Sequence, residues 1–215
     1  MRKRDLGQSW RLALCLVLGS ACDVAHERAV DTVALSDSSL RADSAVRRFV
    51  AEPAGAGAPA IAVSDFAYLR GRRLIIPVAG VHAADLLNTF EEARFSGARR
   101  HDAIDIPALR GTPVLSVDAG LVARIDTSDR GGLSLYATDP SGGYVYYYAH
   151  LDRYHHTVRD GKALQRGDTI GYVGTTGNAP PNTPHLHFAI SVLGESRRWW
   201  DGAPINPWPL LVPVP

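Results

Sequence analysis

Cysteine is almost missing from this chain: the two that occur, Cys15 and Cys22, both fall within the first 22 residues. The rest of the protein therefore has no disulfide framework and no thiolate metal site, and any metal must be held by histidine and carboxylate. An excess of charge is missing too. Lys plus Arg (23) nearly balances Asp plus Glu (22), which leaves no bulk field to gather nucleic acid and argues against it as a partner. The apolar run at residues 12–18 is too short to span a bilayer as a mature helix. The helical zinc motif His-Glu-x-x-His is absent, because His26-Glu27 is not followed by a histidine at the required spacing. No segment repeats with a period of about 20 to 50 residues. At 215 residues and 46% hydrophobic, the chain can bury one ordinary core with a tail, hardly two full domains.

What is present begins with an export signal. Arg2, Lys3, Arg4 and Arg11 precede the apolar stretch at 12–18, which runs into Gly19-Ser20-Ala21-Cys22. That ending resembles a bacterial lipobox, in which the cysteine is acylated and becomes the new N-terminus. Gly19 stands where the motif usually has leucine, so plain cleavage near Ala21 is the other outcome. The expectation is a signal peptide over residues 1–22 and a periplasmic lipoprotein tethered to the membrane through Cys22. Residues 23–72, rich in Ala, Ser, Asp and Arg with a low-complexity stretch at 51–59, read as a linker. A short helix over 39–50 is its one structured element, resting on Leu40, Val46, Phe49 and Val50.

From residue 73 to 215 the pattern changes to short apolar alternations punctuated by Gly and Pro, which predicts one all-β domain, a sandwich or barrel. Strands are expected at 114–117, 121–125, 132–137, 144–151, 169–173 and 185–192, with turns at Asp118-Ala119-Gly120 and at 139–143.

Within that domain, His185-Leu186-His187-Phe188 puts two imidazoles on one face of a strand and two apolar side chains on the other. His101 and Asp105 are also an even number of residues apart and share a face if the segment is extended. By the same parity His150 falls on the face of Tyr146 and Tyr148. A single strand histidine is ordinarily just a satisfied polar residue. Two imidazoles and a carboxylate buried together without partners, however, cost about 1 to 3 kcal/mol per unsatisfied group. A divalent metal compensates that cost, and zinc suits nitrogen ligands with one carboxylate. Three protein ligands leave a fourth position for water, the arrangement of a catalytic site, and spare histidines can move protons.

These residues sit among Gly111-Thr112-Pro113-Val114, Gly120-Leu121-Val122, Tyr148-Ala149-His150-Leu151, Gly167-Asp168-x-Ile170-Gly171, Gly174-x-Thr176-Gly177 and His185-Leu186-His187-Phe188. In this order and spacing, over about residues 75 to 210, the chain resembles the lysostaphin/LytM-type zinc endopeptidases that act on peptidoglycan. The resemblance implies an antiparallel β-sheet core like a barrel-sandwich hybrid. It implies one zinc ion per chain on His101, Asp105 and His187, with His150 and His185 catalytic. It also implies a monomer that cleaves peptidoglycan stem peptides in the cell envelope. Some members carry a tyrosine six residues before the first ligand, thought to help bind the transition state. Here that residue is Phe95, which cannot donate a hydrogen bond.

Two other classes compete. A non-catalytic LytM-type regulator that activates a cell-wall amidase is expected to have lost ligands, and none is lost here. A biotinyl- or lipoyl-type carrier needs a lysine at a hairpin tip, and after the N-terminal segment only Lys162 remains, outside any such hairpin. His155-His156 is read as a solvated turn and Trp199-Trp200 as packing rather than as a glycan platform. Asn178 is read as a turn residue.

Overall fold

The structure is a computed structural model and describes residues 61–94, 97 and 99–212. The signal segment with Cys22, the helix expected over 39–50 and Phe95 lie outside the described residues. Among the described residues no helix is long and apolar enough to cross a membrane.

The strands are β1 (Ala93–Arg94), β2 (Arg99–Arg100), β3 (Ile104–Pro107), β4 (Pro113–Leu115), β5 (Gly120–Ser128), β6 (Gly132–Thr138), β7 (Tyr144–Tyr154), β8 (Ala163–Leu164), β9 (Thr169–Val173), β10 (His185–Val192) and β11 (Ala203–Ile205). The helices are α1 (Val63–Arg72) and the short α2 (Trp208–Leu211). β1 and β2 form a small hairpin, and the other nine strands make one sheet running β11-β10-β7-β6-β5-β8, with β3 on β10 and β9 bridging β7 and β4. Every pairing is antiparallel, so the all-β, antiparallel expectation holds.

β10 is the organising strand. One of its edges pairs with β7, the other with β3 and then β11. Its period-two pattern sends Leu186, Phe188 and Ile190 into full burial, where they meet Ile104 and Ile106 of β3 and Tyr146 and Tyr148 of β7. Each such side chain contributes about 1.5 to 3 kcal/mol of burial. The segments flanking Asp118-Ala119-Gly120 do not pair with each other. β4 ladders with β9, while β5 ladders with β6 and β8.

One finding departs from the linker reading of residues 23–72. Residues 63–72 are helix α1, started by Asp65, whose carboxylate accepts from the Ala62 N–H at 2.6 Å, and ended by Arg73 at φ 52°. Leu69 is fully buried in the main core. Tyr68 stacks on Tyr144 with centroids 5.0 Å apart, and the Tyr144 hydroxyl donates to Asp65 at 2.9 Å. Arg72 donates to both oxygens of Asp118, at 2.7 and 3.1 Å, and Arg166 donates to Asp118 at 3.0 Å. Polar pins hold this helix together with buried Leu69 and the partly buried Phe66 and Tyr68, an apolar face too short to carry much amphipathic signal.

Asp118 is wholly shielded from water. Burial pushes its carboxyl pKa up, but the hydrogen bonds from Arg72 and Arg166 more than reverse this, and the net shift is downward. The stability it confers is therefore complete above the unfolded carboxylate value of about 3.9 and is lost as pH falls through the folded value. Asp118→Asn leaves two arginines facing an uncharged amide and is expected to cost about 3 to 5 kcal/mol. Urea melts of the two proteins should show that loss at neutral pH and a narrower gap in strong acid. Equal stability at neutral pH would contradict the role given to this cluster.

Candidate metal centre

Asp105 and His187 meet because β3 and β10 are in register: the two residues stand directly opposite each other, next to Ile106 opposite Leu186. His185, two residues earlier on β10, presents its ring to the same side. His101 arrives differently. The extended segment expected between His101 and Asp105 is not there, because Asp102 has φ 57° and β3 begins only at Ile104. The His101 and Asp102 amides donate to Glu92 and Phe90 carbonyls, each at 3.0 Å. This bend, rather than strand parity, brings His101 back to Asp105.

The parity argument fails outright for His150. Tyr146 and Tyr148 face the core, whereas the His150 ring packs against His185 and His187 with centroid separations of 5.0 and 5.6 Å. The cause is a β-bulge: Leu133 pairs with Leu151 but Leu135 with Tyr148, so β7 carries one extra residue. His150 sits there at φ 60° and turns to the opposite face.

His101 Nε2, His187 Nδ1 and Asp105 Oδ1 form a triangle with edges of 3.0, 3.0 and 3.1 Å. Tetrahedral zinc with bonds of 2.0–2.1 Å has ligand-to-ligand edges of about 3.3 Å, so the three atoms are already nearly at ligand spacing. His101 Nδ1 lies 2.9 Å from the Thr89 carbonyl, which accepts, and 2.9 Å from the Arg94 guanidinium, which donates, while Nε2 faces Asp105. Two imidazole nitrogens and a carboxylate oxygen converging at this spacing are a donor set that suits a divalent cation. These three residues are the group that could hold a metal ion.

The two remaining histidines have the same orientation. His150 Nδ1 donates to the Thr176 carbonyl and His185 Nδ1 to the Thr183 carbonyl, each at 2.8 Å, so both Nε2 atoms are left as acceptors. Burial pulls the His150 pKa down to about 4, with the Thr176 hydrogen bond opposing and the nearby His187 and His185 rings adding to the fall. Burial also lowers the pKa of His187, against the pull of Asp105. Asp105 would be raised by burial, but hydrogen bonds from His101 and His187 hold it well below the usual carboxylate range.

Several contributors gave no sequence signal. Arg94, returned by the β1–β2 hairpin, donates to Asp105 Oδ2 at 2.7 Å and so leaves Oδ1 to the triangle. The Thr89 hydroxyl accepts from the Asp105 N–H at 3.1 Å. Asn178 lines the cleft, about 280 Å³ in volume, together with Arg94, Arg99 and the five site residues. Gly132 and Gly177 have φ of 60° and 72°, and a Cβ on either would strike the other's loop, so the backbones that carry Thr176 and Asn178 pack directly on the β5–β6 turn. His155 and His156 lie outside the cleft wall, and Trp199 packs on Tyr136 at 4.1 Å.

A sequence profile described as peptidase family M23 matches residues 99–207, just over half of the chain, and contains all five site residues. The chain belongs to peptidase family M23. Among its M23 relatives, the L-Ala--D-Glu endopeptidase of Bacillus subtilis is 33% identical over 130 residues, covering 58% of this chain and 38% of that protein. The peptidoglycan DD-endopeptidase ShyC of Vibrio cholerae is 32% identical over 96 residues, covering 45% and 21%. The chain thus spans less than half the length of these relatives. The structure of Csd3 from Helicobacter pylori matches with a TM-score of 0.50 at 24% identity, over 66% of this chain and 35% of that one, a likeness of fold.

If the triangle is the M23 metal centre, Asp105→Asn should lower affinity for Zn²⁺ or Co²⁺ by more than the roughly 10- to 100-fold that loss of a supporting residue costs, and Arg94→Ala by about that amount. Competition titration with a chelator measures both. Unchanged affinity in Asp105→Asn would remove it from the ligand set.

Proposed function

We propose that this M23 protein is a zinc-dependent endopeptidase that hydrolyses peptide crosslinks of peptidoglycan in the cell envelope, with one Zn²⁺ per chain on His101, Asp105 and His187. The observation that carries the reading is the triangle of His101 Nε2, His187 Nδ1 and Asp105 Oδ1, with edges of 3.0 to 3.1 Å. It is supported by the endopeptidase activities for which the two relatives above are named. Zinc held there would supply Lewis acidity toward a peptide carbonyl and acidify a water molecule.

The protein's own residues do the rest. Arg94 fixes the carboxylate through Oδ2 and Thr89 fixes His101 through Nδ1. His150, neutral at physiological pH because of its lowered pKa, and His185 offer Nε2 atoms that take a proton from the attacking water and return it to the leaving amine. The cleft walls hold the peptide across the ligands. In this reading the N-terminal signal sends the domain to the periplasm, where it is tethered to the membrane through Cys22 and acts as a monomer on stem peptides.

The test is release of fragments from isolated sacculi by the zinc-loaded protein, identified by mass spectrometry. His187→Ala should lose zinc and release nothing. His150→Ala should keep stoichiometric zinc while turnover falls about 10²- to 10⁴-fold. Identical fragments from wild type and His187→Ala would sink the proposal, and loss of zinc in His150→Ala would overturn the division of roles.

A further inference from the structure

The cleft opens into two further hollows that share its walls, and their chemistry differs. On the β3 side, Pro107, Ala108, Leu109, Pro180 and Pro184 line a hollow of about 710 Å³ that reaches Asp105 and His185. Leu109 is 82% exposed there. The one arginine in that wall, Arg94, is already engaged by Asp105.

On the opposite side a hollow of about 270 Å³ reaches His150 and His187, and its wall includes Arg99, Arg130, Ser128, Tyr136 and Tyr147. No aspartate or glutamate lines it. Arg130 is exposed at the β5–β6 turn and makes no ion pair among the described residues. Its carbonyl accepts from the Asn178 N–H at 3.0 Å, tying this turn to the loop that precedes His185. Tyr147 and Tyr136 stack with centroids 4.4 Å apart, and the Tyr147 hydroxyl lies against Gly131, where any Cβ would collide with it. An exposed guanidinium with no ion pair, in a wall that holds no carboxylate among the described residues, makes a receptor for an anion. Because the hollow shares His150 and His187 with the metal cleft, an anion held there lies close to whatever bond the cleft presents to the ligands.

We infer that this arm is a carboxylate subsite: the preferred substrate carries a free carboxylate within a residue or two of the scissile bond on the Arg130 side and small aliphatic groups on the other. An uncharged glycine bridge would leave the arm unused. The inference rests on the peptidase reading for its scissile bond, but the subsite itself is a binding property and can be measured without turnover.

The test is equilibrium binding of the labelled peptide Ala-D-Glu-Lys-D-Ala, compared with its counterpart in which every free carboxylate is a carboxamide, followed by fluorescence anisotropy at low and high salt. Wild type should bind the acid about tenfold more tightly, with the gap shrinking at high salt. Arg130→Gln should bind the two peptides alike, and Arg130→Lys should keep part of the preference. Arg130 is exposed, and thermal melts check that the variants fold. Equal binding of the two peptides by wild type, or a full preference retained by Arg130→Gln, would overturn the inference. An acid preference that depends on Arg130 in a protein that releases nothing from sacculi would uphold the subsite and remove the peptidase reading instead.

Discussion

Asp105 opposite His187 in the β3–β10 ladder is the contact on which the rest of the site depends. Its neighbours in the same two strands, Ile104, Ile106, Leu186 and Phe188, are completely buried. Slipping the register by one residue would drive the carboxylate and the imidazoles into the core and expose all four apolar side chains. At about 1.5 to 3 kcal/mol each, that burial holds the pair in place far more firmly than any hydrogen bond within the site. The polar centre is rigid because the apolar side of the same strands is packed.

The other members arrive through departures from regular strand. Asp102 and His150 are two of the four non-glycine residues with positive φ among the described residues, and one adjoins a proposed ligand while the other is a proposed catalytic residue. Such conformations cost of order 1 kcal/mol or more and persist only where neighbours enforce them. Here the enforcement is visible. The Asp102 amide is held by the Phe90 carbonyl, and the His150 amide donates to Gly131 at 2.8 Å. Backbone carbonyls of Thr89, Thr176 and Thr183 then fix three of the four rings.

How much of this was legible in sequence follows from the same division. His185 and His187 were readable because period two survives intact along β10. His101 and Asp105 were paired correctly on a premise that does not hold, since a turn at Asp102 does what an extended segment was expected to do. His150 was placed on the wrong face because a single-residue bulge reverses parity and leaves no mark in composition. Helix α1 was hidden in linker-like sequence because a short apolar face around Leu69 and several polar pins suffice to dock it. Arg94 could not have been found by periodicity, for it reaches Asp105 through the hairpin of β1 and β2. The separation of ligands from catalytic histidines came from family resemblance alone.

The hydrogen bonds draw a different line through the site, with His101 on the side of the two proposed catalytic histidines. Three rings turn Nε2 to the cleft because a carbonyl occupies Nδ1, whereas His187 turns Nδ1 to Asp105 and His101 from the middle of the sheet. Among the described residues, Asp105 supplies the only carboxylate in the cleft wall, and Arg94 already draws on its charge while standing 3.5 Å from Glu92. Any cation on the triangle therefore keeps most of its own charge. Arg130 extends that positive charge along the groove. On the proposed reading, a peptide entering the groove would meet positive potential at the reacting carbonyl and again beyond it, so the features that would activate the bond and those that would select an acidic substrate are parts of one electrostatic arrangement.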